Sequence, residues 1–432
     1  MSPSTSPRPF VYVESASAAA RLACSGVDVT ALAEEFGTPL YVYSADAIAE
    51  RAAMLQGAFA AAAPTLKTTL CYAVKANSSL AILKLLGEAG CGFDIVSGGE
   101  LERVRRAAPQ ALGTVVFSGV GKQAWEMDAA LEAGILLFNV ESEAELEVLS
   151  ARAVAANKVA RIALRVNPDV FAETHPYIST GLSAHKFGIA IAEARRVYAR
   201  AAQLPGLEPV GVSVHIGSQI RQVEPFGQAL QRVRALVEEL RADGLAIRFV
   251  DAGGGFGIEY GEGAFDPAAS VASYAQELAT VMEGLDAELL LEPGRFLVAQ
   301  AGALVTRVLY TKQNGEKKFV ITDAAMNDLI RPALYQAHHE IWPIERSTGS
   351  PQISDIVGPV CESGDFFARD RETQELRAGD LVALLDAGAY GMSLASHYNT
   401  RVKPAEVLVE RGTARLVRRR ERLDELMAAD IL

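Results

Sequence analysis

The sequence predicts an α/β protein: a closed (β/α)8 TIM-like barrel with a second, mainly antiparallel β domain. Three observations lead there. Short apolar runs rich in strand-forming residues alternate with segments of helical periodicity, in eight successive units between Thr69 and Leu291. Past Ala299 the rhythm changes to strand-like segments joined by turns, with few helices. Charged and polar residues gather at the ends of the apolar runs, which is where a barrel builds its chemistry.

Taken in order, residues 1–9 form a Ser/Pro segment without a basic start or an apolar core, and read as a loose tail rather than a signal peptide. Phe10–Val13 reads as a strand that needs a sheet to pair with and so joins the β domain. Pro39–Tyr43 is a short strand, and Asp46–Phe59 is helical. The barrel strands are expected at Thr69–Lys75, Gly92–Val96, Val115–Ser118, Leu136–Val140, Arg161–Val166, Pro209–His215, Phe249–Ala252 and Glu288–Leu291. Helices are expected between them, among them Gly99–Ala107, Gln123–Ala133, Glu143–Asn157, Ala190–Ala202 and Val223–Asp243. The β domain follows with Ala303–Tyr310, Lys317–Asp323, Ser354–Val360 and Asp380–Asp386. The expected domains are therefore a barrel over 40–300 and a β-rich domain made of 10–39 plus 301–432.

A chain of 432 residues is long enough for one large domain and a smaller one. Its net charge of −12 argues against nucleic acid or an anionic membrane as the main partner, while leaving room for a local cationic pocket. No apolar run reaches spanning length, and the positive mean hydropathy comes largely from alanine-rich helices. Cys24, Cys71, Cys91 and Cys361 are scattered, with no C-x-x-C pair. That pattern favours a reducing compartment such as the cytoplasm and speaks against a structural metal.

The strand ends carry the chemistry. Lys75 ends the first strand, and an amine flanked by apolar residues loses hydration and becomes a usable nucleophile toward carbonyls. The second strand runs into Asp94 and Ser97-Gly98-Gly99-Glu100, Arg165 and Asn167 end the fifth, and His215-Ile216-Gly217-Ser218 the sixth. Asp251 and Gly253-Gly254-Gly255 follow the seventh, and Glu292-Pro293-Gly294-Arg295 the eighth. Successive glycines let backbone N–H groups approach an anion, and barrels place phosphate sites after their late strands. The run is not a dinucleotide fingerprint, because that spacing requires glycine where Ile258 stands. A reactive lysine, a phosphate cradle and an acid on one barrel face suit pyridoxal phosphate, whose ring nitrogen needs an acidic partner such as Glu292. His215 could stack on the ring, although a lone histidine is more often a satisfied core residue.

Together, Tyr72-Ala-Val-Lys-Ala-Asn77, His215-Ile-Gly-Ser-Gln219, Gly253-Gly-Gly-Phe-Gly257, Glu292-Pro-Gly-Arg295 and Cys361-Glu-Ser-Gly-Asp-Phe366 resemble the fold-type III pyridoxal-phosphate decarboxylases of basic amino acids. Three further stretches narrow the resemblance: His175–Leu182 with Lys186-Phe-Gly188, Asn327–Tyr335, and Gly388–Met392. They are similar to the branch that converts meso-2,6-diaminopimelate to L-lysine and CO2, the last step of lysine synthesis.

The resemblance implies a role at each matching position. Lys75 would carry the cofactor covalently, His215 would stack on its ring, and Glu292 would pair with the ring nitrogen. Ser218, the Gly254-Gly255 backbone and the Pro293-Gly294-Arg295 turn would receive the phosphate, with Tyr390. Arg295, Arg331, Tyr335, Glu362 and Tyr390 would bind the substrate. Cys361 would protonate the carbanion, arriving from the second subunit of a head-to-tail homodimer with shared sites.

Charge supports the substrate assignment. Arginines can hold a far-end carboxylate by bidentate bonds and Glu362 an ammonium, whereas ornithine would leave those arginines unpaired. The rival readings are a decarboxylase of ornithine or arginine, a racemase of the same fold, and a non-catalytic relative. A racemase needs acid–base groups on both ring faces and no far-end clamp, and a non-catalytic relative would be expected to lose Lys75 or Cys361. His338-His339 lacks a third metal ligand at sensible spacing. Cys71 and Cys91 read as core, and Arg418–Arg422 as a solvated face.

Overall fold

The computed structural model describes residues 8–14, 19–170, 186–261, 263, 265–347 and 350–431. The chain forms two compact units. One comprises Arg51–Ile258 and Asp266–Phe296; the other takes the residues up to Glu50, Glu259–Phe265 and those from Leu297 onward.

The first unit is a closed barrel of parallel strands: Thr68–Ala73, Gly92–Ile95, Val115–Phe117, Leu137–Val140, Ala160–Asn167, Leu207–Val214, Phe249–Asp251 and Glu288–Leu291. Closure comes from the last strand pairing with the first, Leu289 to Thr68 and Leu291 to Leu70. Cys71, Val116, Leu137, Ala163 and Leu290 pack together in the interior, so the barrel is filled by its own side chains. Helices follow the strands because the sequence supplies their starts. Ser97 caps Gly98–Ala107 by accepting from the Glu100 amide at 3.2 Å, and Ser142 caps Glu143–Ala155 in the same way. Each such cap contributes about 1 kcal/mol. Leu101 and Val104 form the buried face of the first of these helices, and Arg105 and Arg106 sit in its last turn, where they complement the helix dipole.

The second unit holds a sheet in the order Phe366–Gln374, Pro351–Val357, Lys317–Thr322, Gly302–Asn314, Leu40–Ser44, Ala405–Glu410, Thr413–Arg418. Most neighbours are antiparallel, but Lys317–Thr322 runs parallel to Pro351–Val357, and Leu40–Ser44 parallel to Ala405–Glu410, so the sheet is mixed. Phe10–Val13 pairs with Arg21–Cys24 in a separate three-stranded sheet. Phe10 and Leu22 still share a core with Leu40, Val305 and Val407.

Two boundaries differ from the expected ones. Leu40–Ser44, placed with the barrel by the sequence, is buried along its whole length and hydrogen-bonded on both edges within the β-rich unit. An unbroken apolar run demands that burial, and only the second sheet offers it two neighbours. Arg8, assigned to the tail, is buried and grips both oxygens of Asp386 at 2.8 Å, because a fully buried carboxylate needs a cation. Residues 1–7 lie outside the described residues, as does the motif at 175–182. Arg418 closes the strand Thr413–Arg418, and Arg420 donates to the Pro39 carbonyl at 2.7 Å, so that charged run is only partly solvated. Among the described residues, no helix is long and apolar enough to cross a membrane.

Candidate active site

The barrel's strand ends converge. Lys75 lies in a single 3-10 turn, Val74–Ala76, just past the end of the first strand. Its amine is ion-paired with Asp94 of the neighbouring strand. This corrects the expectation of an amine isolated among apolar residues. The ladder sets Ala73 opposite Asp94, so two residues later the lysine meets that carboxylate. Asp94 is fully buried, and its Oδ1 has no hydrogen-bond partner among the described residues.

Behind this pair lies a buried polar layer. The Asn139 amide donates from Nδ2 to Asp251 Oδ2 at 2.6 Å, to Ser118 Oγ at 3.1 Å and to Glu292 Oε1 at 3.3 Å. Asp251 also accepts from the Gly253 amide at 2.9 Å and from Ser213 Oγ at 3.2 Å. Burial, then the Asp251 and Asp94 carboxylates, push Glu292 well above the ordinary glutamate range. Asp251 is raised too, chiefly by burial, and the two acids hydrogen-bond each other. Like charges this close cannot both ionise, so the pair holds a shared proton.

His215 is kept neutral. Burial, Arg165 and Lys75 all push its imidazole well below the usual value, and the Gly254 amide donates to its Nδ1 at 3.0 Å. The glycines are required by packing. A Cβ would come within 2.3 Å of Val214 O at Gly253, of Glu292 O at Gly254 and of Gly217 O at Gly255. Arg295 donates from Nη2 to Ser218 Oγ at 3.0 Å. Arg165 pairs with Glu141 at 3.0 Å, while its Nε and Nη2 are buried without hydrogen-bond partners among the described residues. Of the Lys186-Phe187-Gly188 motif, the Phe187 ring packs on the Arg165 guanidinium at 4.8 Å, and the Gly188 amide donates to Glu141 at 3.0 Å.

The remaining candidates belong to the β-rich unit. Arg331 and Tyr335 bound the short helix Arg331–Tyr335, with Arg331 buried and Tyr335 half-buried. Cys361 and Glu362 are exposed, in a segment held at its base by Asp365, which accepts from the Met326 and Val360 amides at 2.7 Å. Asn399 Oδ1 accepts from the Cys361 amide at 3.0 Å, and the Tyr398 hydroxyl donates to Glu362 at 3.3 Å. Tyr390 has a left-handed φ of +57°. It follows Gly388, where a Cβ would lie 1.9 Å from Val298 O.

The family model described as the pyridoxal binding domain of pyridoxal-dependent decarboxylases matches residues 46–299. A diaminopimelate decarboxylase of Neisseria meningitidis serogroup A is 48% identical over 410 residues, covering 95% of this chain and 99% of the relative. The chain belongs to the diaminopimelate decarboxylase family. Two solved diaminopimelate decarboxylases, both described in complex with L-lysine, share its fold. That of Helicobacter pylori has a TM-score of 0.86 at 42% identity, over 93% of this chain and 98% of that one. That of M. jannaschii has a TM-score of 0.89 at 38% identity, over 95% and 96%.

The barrel residues fit the cofactor of the diaminopimelate decarboxylases. A primary amine, a bare glycine backbone, a serine hydroxyl beside a guanidinium and an acid pair holding a proton are the groups that an aldehyde, a phosphate and a pyridine nitrogen call for. Buried guanidinium and carboxylate atoms on Arg165 and Asp94 that have no hydrogen-bond partner among the described residues also suit a polar ligand. Sequence reasoning gave no role to Ser118 and Asn139. Ser118 obeys the strand-end rule, following the apolar run Val115–Phe117, whereas Asn139 lies inside Leu137–Val140, where the only signal is a polar residue interrupting an apolar strand.

Proposed function

We propose that this chain releases one carboxylate of meso-2,6-diaminopimelate as CO2 and leaves L-lysine, with pyridoxal phosphate as its cofactor. The observation that carries the reading is the placement of Lys75, His215, the Gly253–Gly255 backbone and the Asp251–Glu292 pair at one end of one barrel. When bound, the cofactor supplies an electron sink for the carbanion left as CO2 departs.

Lys75 would hold the cofactor covalently, and the neutral His215 ring would lie against it without adding charge. Ser218, Gly254, Gly255, Pro293, Gly294, Arg295 and Tyr390 would receive the phosphate. Glu292 would face the ring nitrogen, and the proton it holds with Asp251 would keep that nitrogen cationic. Arg295, Arg331, Tyr335, Glu362 and Tyr390 would bind the substrate, the arginines taking its far carboxylate and Glu362 its far ammonium. Cys361 would deliver the proton to carbon. Its exposure supports its acting in trans, in a head-to-tail homodimer with shared sites. The four free cysteines support a cytoplasmic, reducing setting.

Purified protein supplied with pyridoxal phosphate and meso-diaminopimelate should release CO2 and L-lysine. Ornithine, arginine and lysine should be turned over at least about 10⁴-fold less well, since each would leave a buried cation unpaired. No turnover of meso-diaminopimelate, or equal turnover across the panel, overturns the assignment.

A further inference from the structure

The sequence contains His338 and His339 side by side, and the structure separates them completely. His338 is exposed and sits between Glu340, at 2.7 Å, and Arg371, at 3.1 Å. His339 is fully buried. Its Nδ1 lies 2.7 Å from the Leu385 carbonyl, and its Nε2 lies 2.8 Å from Arg331 Nη1. A carbonyl only accepts and a guanidinium only donates, so both contacts demand the same tautomer: hydrogen on Nδ1, lone pair on Nε2. Tyr260 completes the arrangement. Its ring lies 4.5 Å from the Arg331 guanidinium carbon and meets His339 edge-on, at 5.7 Å and 75°. One contact fixes the guanidinium within its plane, and the other fixes the plane itself.

We propose that His339 is a positioning residue for substrate recognition. It sets the roll of the Arg331 guanidinium on the Tyr260 platform, so that the arginine presents a fixed donor edge to the far carboxylate of diaminopimelate. The inference rests on the reading that Arg331 binds that carboxylate. Bidentate recognition needs the guanidinium and carboxylate planes to match, and a guanidinium free to roll loses that match while keeping its charge. The carboxylate lost as CO2 is the one at the reacting end, so the product L-lysine keeps the head that Arg331 grips. Lysine binding therefore reports on the same contact, while 1,5-diaminopentane, which has no carboxylate, does not.

The test compares His339→Asn with His339→Gln in the full-length, cofactor-loaded enzyme. An Asn amide reaches the Nδ1 position and can keep the bond to Leu385, but the Nε2 acceptor that faces Arg331 Nη1 is lost. A Gln amide oxygen reaches the Nε2 position and keeps that acceptor. Cofactor absorbance should be unchanged in both. His339→Asn should raise KM for meso-diaminopimelate and weaken L-lysine binding by about 10- to 100-fold, the range for one lost hydrogen bond to a charged group. Its kcat should change only severalfold. His339→Gln should recover most of the loss, and 1,5-diaminopentane should bind all three proteins alike. Equal losses in the two variants, equal losses for lysine and diaminopentane, or a fall in kcat at constant KM would overturn the proposal. Arg331→Lys separates the two failures. If it weakens lysine binding while His339→Asn does not, only the role of His339 falls; if it leaves lysine binding unchanged, the reading of Arg331 falls and takes the proposal with it.

Discussion

Asp94, Asn139, Asp251 and Glu292 are buried at the ends of barrel strands and tied to one another, whereas Cys361 and Glu362 of the β-rich unit stand exposed on a loop. The barrel residues are held by the ladder itself: strand register decides which side chains meet, as with Lys75 and Asp94. The loop is held at its base through Asp365, and Asn399 and Tyr398 bond the Cys361 amide and the Glu362 carboxylate, yet both side chains stay exposed. A proton donor to carbon works best where water is excluded, and an exposed thiol does not meet that condition. The contrast teaches that the barrel preorganises cofactor chemistry by itself. The acid in the proposed mechanism, unlike the barrel groups, still has to be screened from water, which is the part the proposed head-to-tail homodimer would play.

The largest expected effect tests the barrel half of the comparison. Lys75→Ala removes the only covalent hold proposed for the cofactor, and turnover should fall by about 10⁴-fold or more. Borohydride reduction followed by peptide mapping should label position 75 in the native protein and nothing in the variant. A label elsewhere would move the site. Next comes the loop half. Cys361→Ala should leave cofactor absorbance intact while turnover drops by about 10²- to 10⁴-fold, the usual loss of one positioned acid. Mixing this variant with Lys75→Ala should restore activity in hybrids, because one of the two shared sites then keeps both residues. If mixtures stay inactive, Cys361 acts within its own chain and the contrast drawn above fails.

A smaller effect probes the polar layer. Asn139→Leu keeps the volume and removes the donor to Asp251, Ser118 and Glu292. Taking that donor away from buried acceptors, which keep their other partners, should cost about 2 to 3 kcal/mol, read as a lower denaturant midpoint in the cofactor-free protein. An unchanged midpoint would mean that water satisfies the layer and that it is less rigid than its geometry implies.

The barrel and the polar groups gathered at its strand ends were legible because polar residues interrupt apolar runs there, a pattern that needs no tertiary information. Phe366–Gln374 was not, since Arg-Asp-Arg-Glu along its length reads as a turn; charge of that kind is how an edge strand resists further pairing. Leu40–Ser44 read correctly as a strand and wrongly as part of the barrel, because an apolar run does not say which sheet buries it. Asp94 was visible as a strand-end acid, but its pairing with Lys75 depends on register between two strands. His339 was the least legible. Beside His338 it has the same local sequence context, and only the fold makes one a rim residue and the other the partner of Arg331.

The smallest effect sets two glutamates of one helix side by side. Glu100, in the first turn of Gly98–Ala107, accepts from the Val96 amide at 2.7 Å, and its carboxyl is pushed up from 4.5 to about 7, mainly by burial. Glu102, two residues on, is half-buried and held below its ordinary value by hydrogen bonds from Arg105 and Arg106. The signs are opposite. Between pH 4.5 and about 7 the folded chain keeps the Glu100 proton that the unfolded chain has lost, so its contribution to stability is full below 4.5 and lost as pH rises to about 7. Glu102 contributes above the ordinary glutamate value, and that contribution is lost as pH falls. Denaturant midpoints measured across this range should therefore show wild type losing ground to Glu100→Gln as pH rises, by at most about 1.4 kcal/mol per pH unit, and the two running parallel above pH 7. Glu102→Gln should show the reverse trend, and only at the acid end. Parallel curves for Glu100→Gln throughout would mean that its carboxyl is hydrated and that the buried end of the barrel stops short of this turn.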